Sequence, residues 1–420
     1  MQRERSGTIR EAWRPFWASR AAVWAAGLLG VLWLGQAPGA ATTYDPTALT
    51  RPFSPFVNFL LAPAARWDSV WYLSIANDGY GGAQDHAKAA FYPLYPLLAK
   101  VIGFAFGSAL LGGLVVSLAC FFGALLLLER LAEIELGPRD ARATAMLVAF
   151  FPSAFFFSAV YAESLFLLLS VATLLAARQG RWMWAGIAGG LAALTRNSGA
   201  VLLLPALLMF LYGPRADRAA VEAARAWWRP RHPLTPQLLW LALIPLGLVI
   251  FLAYAGIAIG DAFAPFSAQG FWGRHFVPLG GVWDGARAAW LGVRQIIHGT
   301  ARPVFFTDAG GDPFVNAGQN LMLFGFLVFA VVACVGALRR LPFAYGAYTT
   351  VALLLTLSYP VDPQPLMSLP RFVLVLFPLQ MWLARWTGRR AEGTSDRAIA
   401  ISAVLLGLMT AQFARWGFVA

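Results

Sequence analysis

Two runs of this chain, Leu238 to Ile259 and Leu321 to Leu338, contain no charged residue, and that restricts the fold to one that a bilayer accepts. A helix needs roughly 20 apolar residues to cross about 30 Å of hydrocarbon. In lipid every backbone N–H and C=O must be satisfied within the structure, which leaves helices and closed barrels. A barrel would read as short alternating segments, and these runs do not alternate. With 59% hydrophobic and only 12% charged residues, the chain is expected to be an all-α, polytopic membrane protein of about eleven transmembrane helices. The expected spans lie near 20–36, 107–128, 142–158, 160–177, 182–195, 198–212, 237–259, 318–338, 342–358, 370–386 and 397–414.

The arginines set the expected orientation, because short positively charged loops stay cytoplasmic. With the N-terminus inside, the inner segments 1–20, 129–142, 178–181, 213–236, 338–340 and 385–397 hold 21 of the 32 Lys and Arg residues. This leaves two large outer loops, 37–97 and 260–317, and a single membrane domain over 1–420. The net charge of +12 then reads as a topology signal that favours anionic lipid. It is divided among loops without forming the stripe a nucleic acid would require. Cys120 and Cys334 both fall in expected spans, so neither a disulfide framework nor a CxxC metal site is indicated. The small-residue run Ala37-Pro38-Gly39-Ala40-Ala41 after the first apolar stretch also imitates a signal-peptide cleavage site; an uncleaved first span is the expectation.

On this topology Asp68, Asp78, Glu163, Arg196, Asn197, Asp362 and Arg371 all fall at outer span ends or in outer loops. Ionisable groups beside hydrocarbon are costly unless paired or hydrated, which makes them functional candidates. Asp68 begins a helix-like segment that places Trp71 and Tyr72, three and four residues on, on its face. Rings suit the apolar face of a sugar, and a carboxylate can take a proton from a hydroxyl. The alternative is an interfacial aromatic belt around Trp67 and Trp71 with Asp68 as a helix N-cap. In Phe91-Tyr92-Pro93-Leu94-Tyr95-Pro96, two prolines stiffen the return to the membrane, and Tyr92 and Tyr95 either line a site or form a structural corner. Glu163 needs a partner, and Arg196 is available either to pair with it or to bind a phosphate. Arg371 is a second phosphate candidate, with snorkelling as its alternative role. Trp272, His275, Trp283 and Trp290 in the second loop either cover a substrate or anchor amphipathic segments.

The strings Arg66-Trp67-Asp68-Ser69 to Gly79-Tyr80, Ala90-Phe91-Tyr92-Pro93-Leu94-Tyr95-Pro96, Pro152-Ser153 through Tyr161-Ala162-Glu163-Ser164, Thr195-Arg196-Asn197-Ser198-Gly199 and Pro370-Arg371-Phe372 together resemble bacterial relatives of the PIG-V mannosyltransferases. The resemblance runs in order from about residue 66 to about residue 385. It implies the GT-C glycosyltransferase architecture, with a catalytic carboxylate in the first outer loop that maps to Asp68. It further implies a polyprenyl-phosphate sugar donor, mannose by expectation, and transfer with inversion to an extracytoplasmic glycan, glycolipid or protein acceptor at the cell membrane. Arg66, Trp67, Trp71, Tyr72, Asp78, Tyr92, Tyr95, Tyr161, Glu163, Arg196, Asn197 and Arg371 become candidate substrate-binding residues. No obligatory cofactor or metal is expected, although Asp68, Asp78 and Glu163 could share a divalent cation. The eukaryotic relatives act on a GPI precursor, and this Arg-rich, Lys-poor chain looks prokaryotic, so their acceptor does not carry over. A transporter or flippase would place its ionisable groups near the membrane midplane. A noncatalytic subunit of a glycan-assembly complex would tolerate loss of Asp68.

Overall fold

The computed structural model describes residues 2–35, 44–81, 85–217, 230–299, 312–361, 364–417 and 419, with side chains from residue 11 onward and excluding that of residue 85. The run 37–41 and Asp362 lie outside the described residues. Among the described residues the chain is helical without a strand, apart from one isolated antiparallel bridge between Arg274 and Val361. Among the described residues five helices are long and apolar enough to cross a membrane: Glu11–Leu34, Ala109–Leu136, Pro236–Ala258, Pro313–Arg340 and Thr394–Ala414. Shorter apolar helices, including Leu94–Phe104, Trp182–Ala193, Asn197–Tyr212 and Phe343–Leu357, stand among them. The protein is a multi-pass membrane protein, and these helices do not reproduce a count of eleven continuous spans.

Several expected spans are broken, and proline accounts for the clearest cases. The run 142–158 becomes a helix Pro138–Ala149 and a 3-10 turn Ala154–Ser158, because Pro152 lacks an N–H and disfavours helix in the residue before it. The run 370–386 divides into Leu369–Leu374 and Phe377–Gly388, with Pro378 in the first turn of the second piece, where its missing donor costs nothing. The first helix begins well before residue 20, so Arg20 is not an inner-loop charge. It is buried, donating to the carbonyls of Ala149 at 3.2 Å and Ala154 at 2.9 Å and to the Ser158 hydroxyl at 2.5 Å, and its guanidinium lies 4.6 Å from the Phe121 ring. This replaces the backbone partners that the interrupted segment 149–158 cannot supply to itself.

Among the described residues neither long loop is extended. The first contains the helices Thr47–Thr50, Pro55–Leu61, Ser69–Asp78 and Asp85–Lys88, and the second contains Ala264–Phe271 and Gly280–His298. Aromatic rings join the two loops. Trp71 stacks on Phe91 at 5.9 Å and meets Trp272 edge-on at 5.3 Å. Trp283 and Trp290, in contrast, face outward, as interfacial anchors do.

Where helices approach most closely, glycine makes it possible. A Cβ on Gly247 would overlap the carbonyl of Gly190, and one on Gly190 would stand 2.6 Å from the carbonyl of Leu243. Small residues at such crossings let backbones touch where apolar driving force between helices is weak. Gly247→Val is therefore expected to destabilise the protein by about 1–3 kcal/mol, read as a lower thermal midpoint in detergent, whereas Gly325→Ala, with open space at its Cβ, leaves the midpoint unchanged.

Candidate functional site

The site begins with a strained turn. Trp67 has a φ of 52°, left-handed backbone that is rare for a bulky residue and costs about 1–3 kcal/mol. Its ring rests against Tyr44 at 5.6 Å and Trp416 at 5.8 Å. The Tyr161 hydroxyl clamps the turn from below, accepting from the Asp68 N–H at 3.0 Å and donating to the Arg66 carbonyl at 3.1 Å. Asp68 stands at the N-cap position of Ser69–Asp78, yet its side chain makes no capping hydrogen bond. Its Oδ2 instead accepts from Arg371 Nη1 at 2.5 Å.

Arg371 comes from the short helix Leu369–Leu374, which starts after Ser368 in a left-handed conformation. The Ser153 hydroxyl fixes this helix by donating to the Pro370 carbonyl at 2.9 Å. Arg371 also reaches Glu163, its Nε lying 3.1 Å from Oε1 at ion-pair distance but without hydrogen-bond alignment. The same Glu163 oxygen accepts from Arg196 Nη1 at 2.7 Å. Glu163 has no solvent exposure and opens the helix Glu163–Arg178, where the N-terminal dipole favours a carboxylate. Its Oε2 is buried without a hydrogen-bond partner. Asp68, Glu163, Arg196 and Arg371 thus form one chain of charge contacts assembled from four distant segments.

A fifth charged residue, Arg274, has no place among the residues singled out from the sequence. It donates weakly to the carbonyls of Tyr359 at 3.3 Å and Met367 at 3.4 Å. Burial lowers its pKa to about 10, with the nearby positive charge of Arg371 acting in the same direction and Asp68 opposing, so it stays charged at neutral pH. The Phe372 ring gathers three guanidiniums, Arg196 at 5.0 Å, Arg274 at 5.4 Å and Arg371 at 5.7 Å. Each cation on a ring face is worth about 0.5–2 kcal/mol, which helps hold three like charges together. Three arginines against two carboxylates leave a net positive site suited to an anion. The available signal in the sequence was Trp272-Gly273-Arg274, a charge beside a tryptophan as in Trp67-Asp68.

Tyr72 is buried between Phe91, Tyr95 and Tyr161 at 5.1, 5.1 and 5.9 Å. Burial first, and Glu163 second, raise its pKa, so it is a neutral phenol that can donate. The other named residues face elsewhere. Arg66 donates to the Ala414 carbonyl at 2.8 Å and lies over Trp416 at 4.6 Å. The Tyr95 hydroxyl is held by the Gly113 carbonyl at 3.0 Å and Ser117 at 2.8 Å. Tyr92 packs on Phe251 at 4.6 Å with its buried hydroxyl unpartnered, and Trp71 belongs to the inter-loop aromatic cluster. Asp78 is exposed at the far end of its helix, and Asn197 is exposed with its Oδ1 accepting from the Ser198 N–H. Among the described residues no three His, Cys, Asp or Glu side chains gather as metal ligands.

Comparison with known proteins bears on this same stretch. Residues 40–209 match the family model described as Mannosyltransferase (PIG-V). The chain is 31% identical over 163 residues to GPI alpha-1,6-mannosyltransferase 2 of Mus musculus, covering 35% of this chain and 31% of that protein. Against the Rattus norvegicus protein of the same name it is 31% identical over 161 residues, covering 34% and 31%. The alignment therefore spans about a third of the length of these curated relatives. Among solved structures, the Archaeoglobus fulgidus oligosaccharyltransferase in its apo form aligns with a TM-score of 0.43 at 15% identity, covering 96% of this chain and 56% of that one. The same enzyme tethered to an acceptor peptide gives 0.41 at 14% identity, covering 97% and 56%. The matched residues 40–209, which carry Asp68, Glu163 and Arg196, are thus similar to the PIG-V mannosyltransferases.

Proposed function

We propose that the protein is a GT-C-type membrane mannosyltransferase that transfers mannose, with inversion, from a polyprenyl-phosphate donor to an acceptor on the extracytoplasmic face. The observation that carries this reading is the pairing of Asp68 with Arg371 inside a net positive, ring-lined cluster, in a chain whose family-matched segment supplies Asp68.

Exposure favours one of the two paired carboxylates as the base. The Asp68 side chain is 26% exposed, whereas Glu163 is closed off from solvent and engaged by two arginines. This supports Asp68, rather than Glu163, as the carboxylate that meets an incoming hydroxyl. Oδ2 is held by Arg371, and Oδ1 is the oxygen that takes the acceptor's proton as the acceptor oxygen attacks the anomeric carbon. The bond from that carbon to the phosphate oxygen breaks on the opposite face, and its electron pair leaves with the lipid phosphate. A β-linked donor so gives an α-linked product in one inversion. Arg371, Arg196 and Arg274 stabilise the departing phosphate in a low-dielectric setting where fixed charges act strongly. Glu163 sets the positions of two of those arginines and does not touch the reacting atoms. The polyprenyl chain lies in the surrounding lipid; the acceptor is a glycan, glycolipid or protein.

The direct test uses purified protein, synthetic polyprenyl-phosphate mannose carrying a label, and membrane extract as acceptor source. Wild type is expected to transfer label, and Asp68→Asn to lose transfer by about 10²–10⁴-fold at an unchanged thermal midpoint; transfer by Asp68→Asn at the wild-type rate removes Asp68 from the base role. Glu163→Gln behaves differently. Removing one partner of a buried ion pair costs about 3–5 kcal/mol, so its thermal midpoint falls along with its activity. Tyr161→Phe loses the hydroxyl that clamps the Asp68 turn and is expected to lower kcat on the order of tenfold with little change in KM, as displacement of a catalytic group does.

A further inference from the structure

We infer that a second anion site lies at the opposite end of the helices from Arg371, and that its ligand is the phosphate of an anionic phospholipid from the surrounding bilayer. An open-sided hollow of about 220 Å³ is lined there by Arg340, Trp382, Arg385, Trp386, Arg389 and Arg390. Arg340 closes the long helix Pro313–Arg340, and the others belong to or follow Phe377–Gly388. Fourteen residues along the two helical pieces Leu369–Leu374 and Phe377–Gly388 separate Arg371 from Arg385, on the order of 20 Å at 1.5 Å per residue, so a single phosphate does not occupy both places.

The floor of the hollow is built. Trp382 and Trp386, one helical turn apart, stack at 6.0 Å and 29°. Gly336 makes room for the first of them, since a Cβ there would overlap the Trp382 indole. The Arg390 guanidinium lies 4.9 Å from the Trp386 ring. The Arg385 Nε is buried with no hydrogen-bond partner, a donor that the protein alone leaves unmet and whose isolation costs about 1–3 kcal/mol. None of the four arginines forms an ion pair with a described residue. Asp140 is close enough for Arg385 and Arg389 to act on its carboxyl, and it offsets one of the four charges. Helix C-termini attract a cation each, which accounts for an arginine at Arg340 or Arg385 but not for four around a pair of indoles.

The lipid source follows from position and floor. Tryptophan stacks of this kind sit at headgroup level, apolar on one side and wet on the other, and basic pockets between membrane helices take lipid headgroup phosphates. A soluble anion would have no use for the indole floor.

Native mass spectrometry of the full chain in neutral detergent, titrated separately with phosphatidylglycerol, phosphatidylcholine and inorganic phosphate, tests this. The expected result is one tightly retained phosphatidylglycerol, held on the order of tenfold better than phosphatidylcholine. Arg389→Gln with Arg390→Gln, both exposed and away from the packed interior, removes that preference, and Trp386→Ala weakens it. Arg339→Gln, an exposed arginine on the same helix as Arg340 but outside the hollow, leaves it intact. Equal retention of the two lipids overturns the proposal, as does an equal loss in Arg339→Gln, which assigns the effect to diffuse charge. Inorganic phosphate retained in place of phosphatidylglycerol assigns the hollow to a soluble anion and overturns the lipid source.

Discussion

Glu163 is the constraint around which this end of the molecule is arranged. A carboxylate without solvent contact carries a desolvation cost of several kcal/mol unless cations and donors surround it. It obtains them from Arg196 and Arg371, one after the short helix Trp182–Ala193 and the other in Leu369–Leu374. Those two segments have to arrive together, and the broken corner near Ser153 is what brings the second one in. Arg371 then has charge to spare for Asp68. The exposed carboxylate is placed by the buried one, through a shared arginine.

A second line of support runs through backbone and rings. The left-handed conformation at Trp67 persists because Tyr161, Tyr44 and Trp416 all bear on it. From there Trp71, Phe91 and Trp272 carry packing across to the second long loop, which is how Arg274 comes to lie beside the same Phe372 ring as Arg196 and Arg371. The site is therefore a product of the whole bundle, with contributions from both loops and from three helical segments.

The helical class and the convergence of Asp68, Glu163, Arg196 and Arg371 were legible in the sequence, because apolar runs fix which loops share a side and charge near hydrocarbon stands out. Continuity of the spans was less so. Hydropathy does not register where a helix stops inside an apolar run, and Pro152 and Pro378 stop two of them. Arg66, Tyr95 and Tyr161 stood within the recognisable strings but spend their polar atoms on backbone carbonyls and a serine hydroxyl; a demand of that kind arises only once distant backbone is in place. Arg274 was missed for the converse reason. No periodicity marks it, and its neighbours in space lie about a hundred residues further along the chain.

The contact between Arg66 and the Ala414 carbonyl has a consequence for how the protein matures. Residue 66 belongs to the turn that presents Asp68, and residue 414 ends the helix Thr394–Ala414. During synthesis the turn leaves the ribosome long before its partner, and until that later helix inserts, the Arg66 guanidinium has the adjacent Ala65 carbonyl as its acceptor but not that of Ala414, and the Trp67 ring lacks Trp416 beside it. The support of the turn that carries Asp68 is in this way completed 348 residues further along the chain, by the helix Thr394–Ala414.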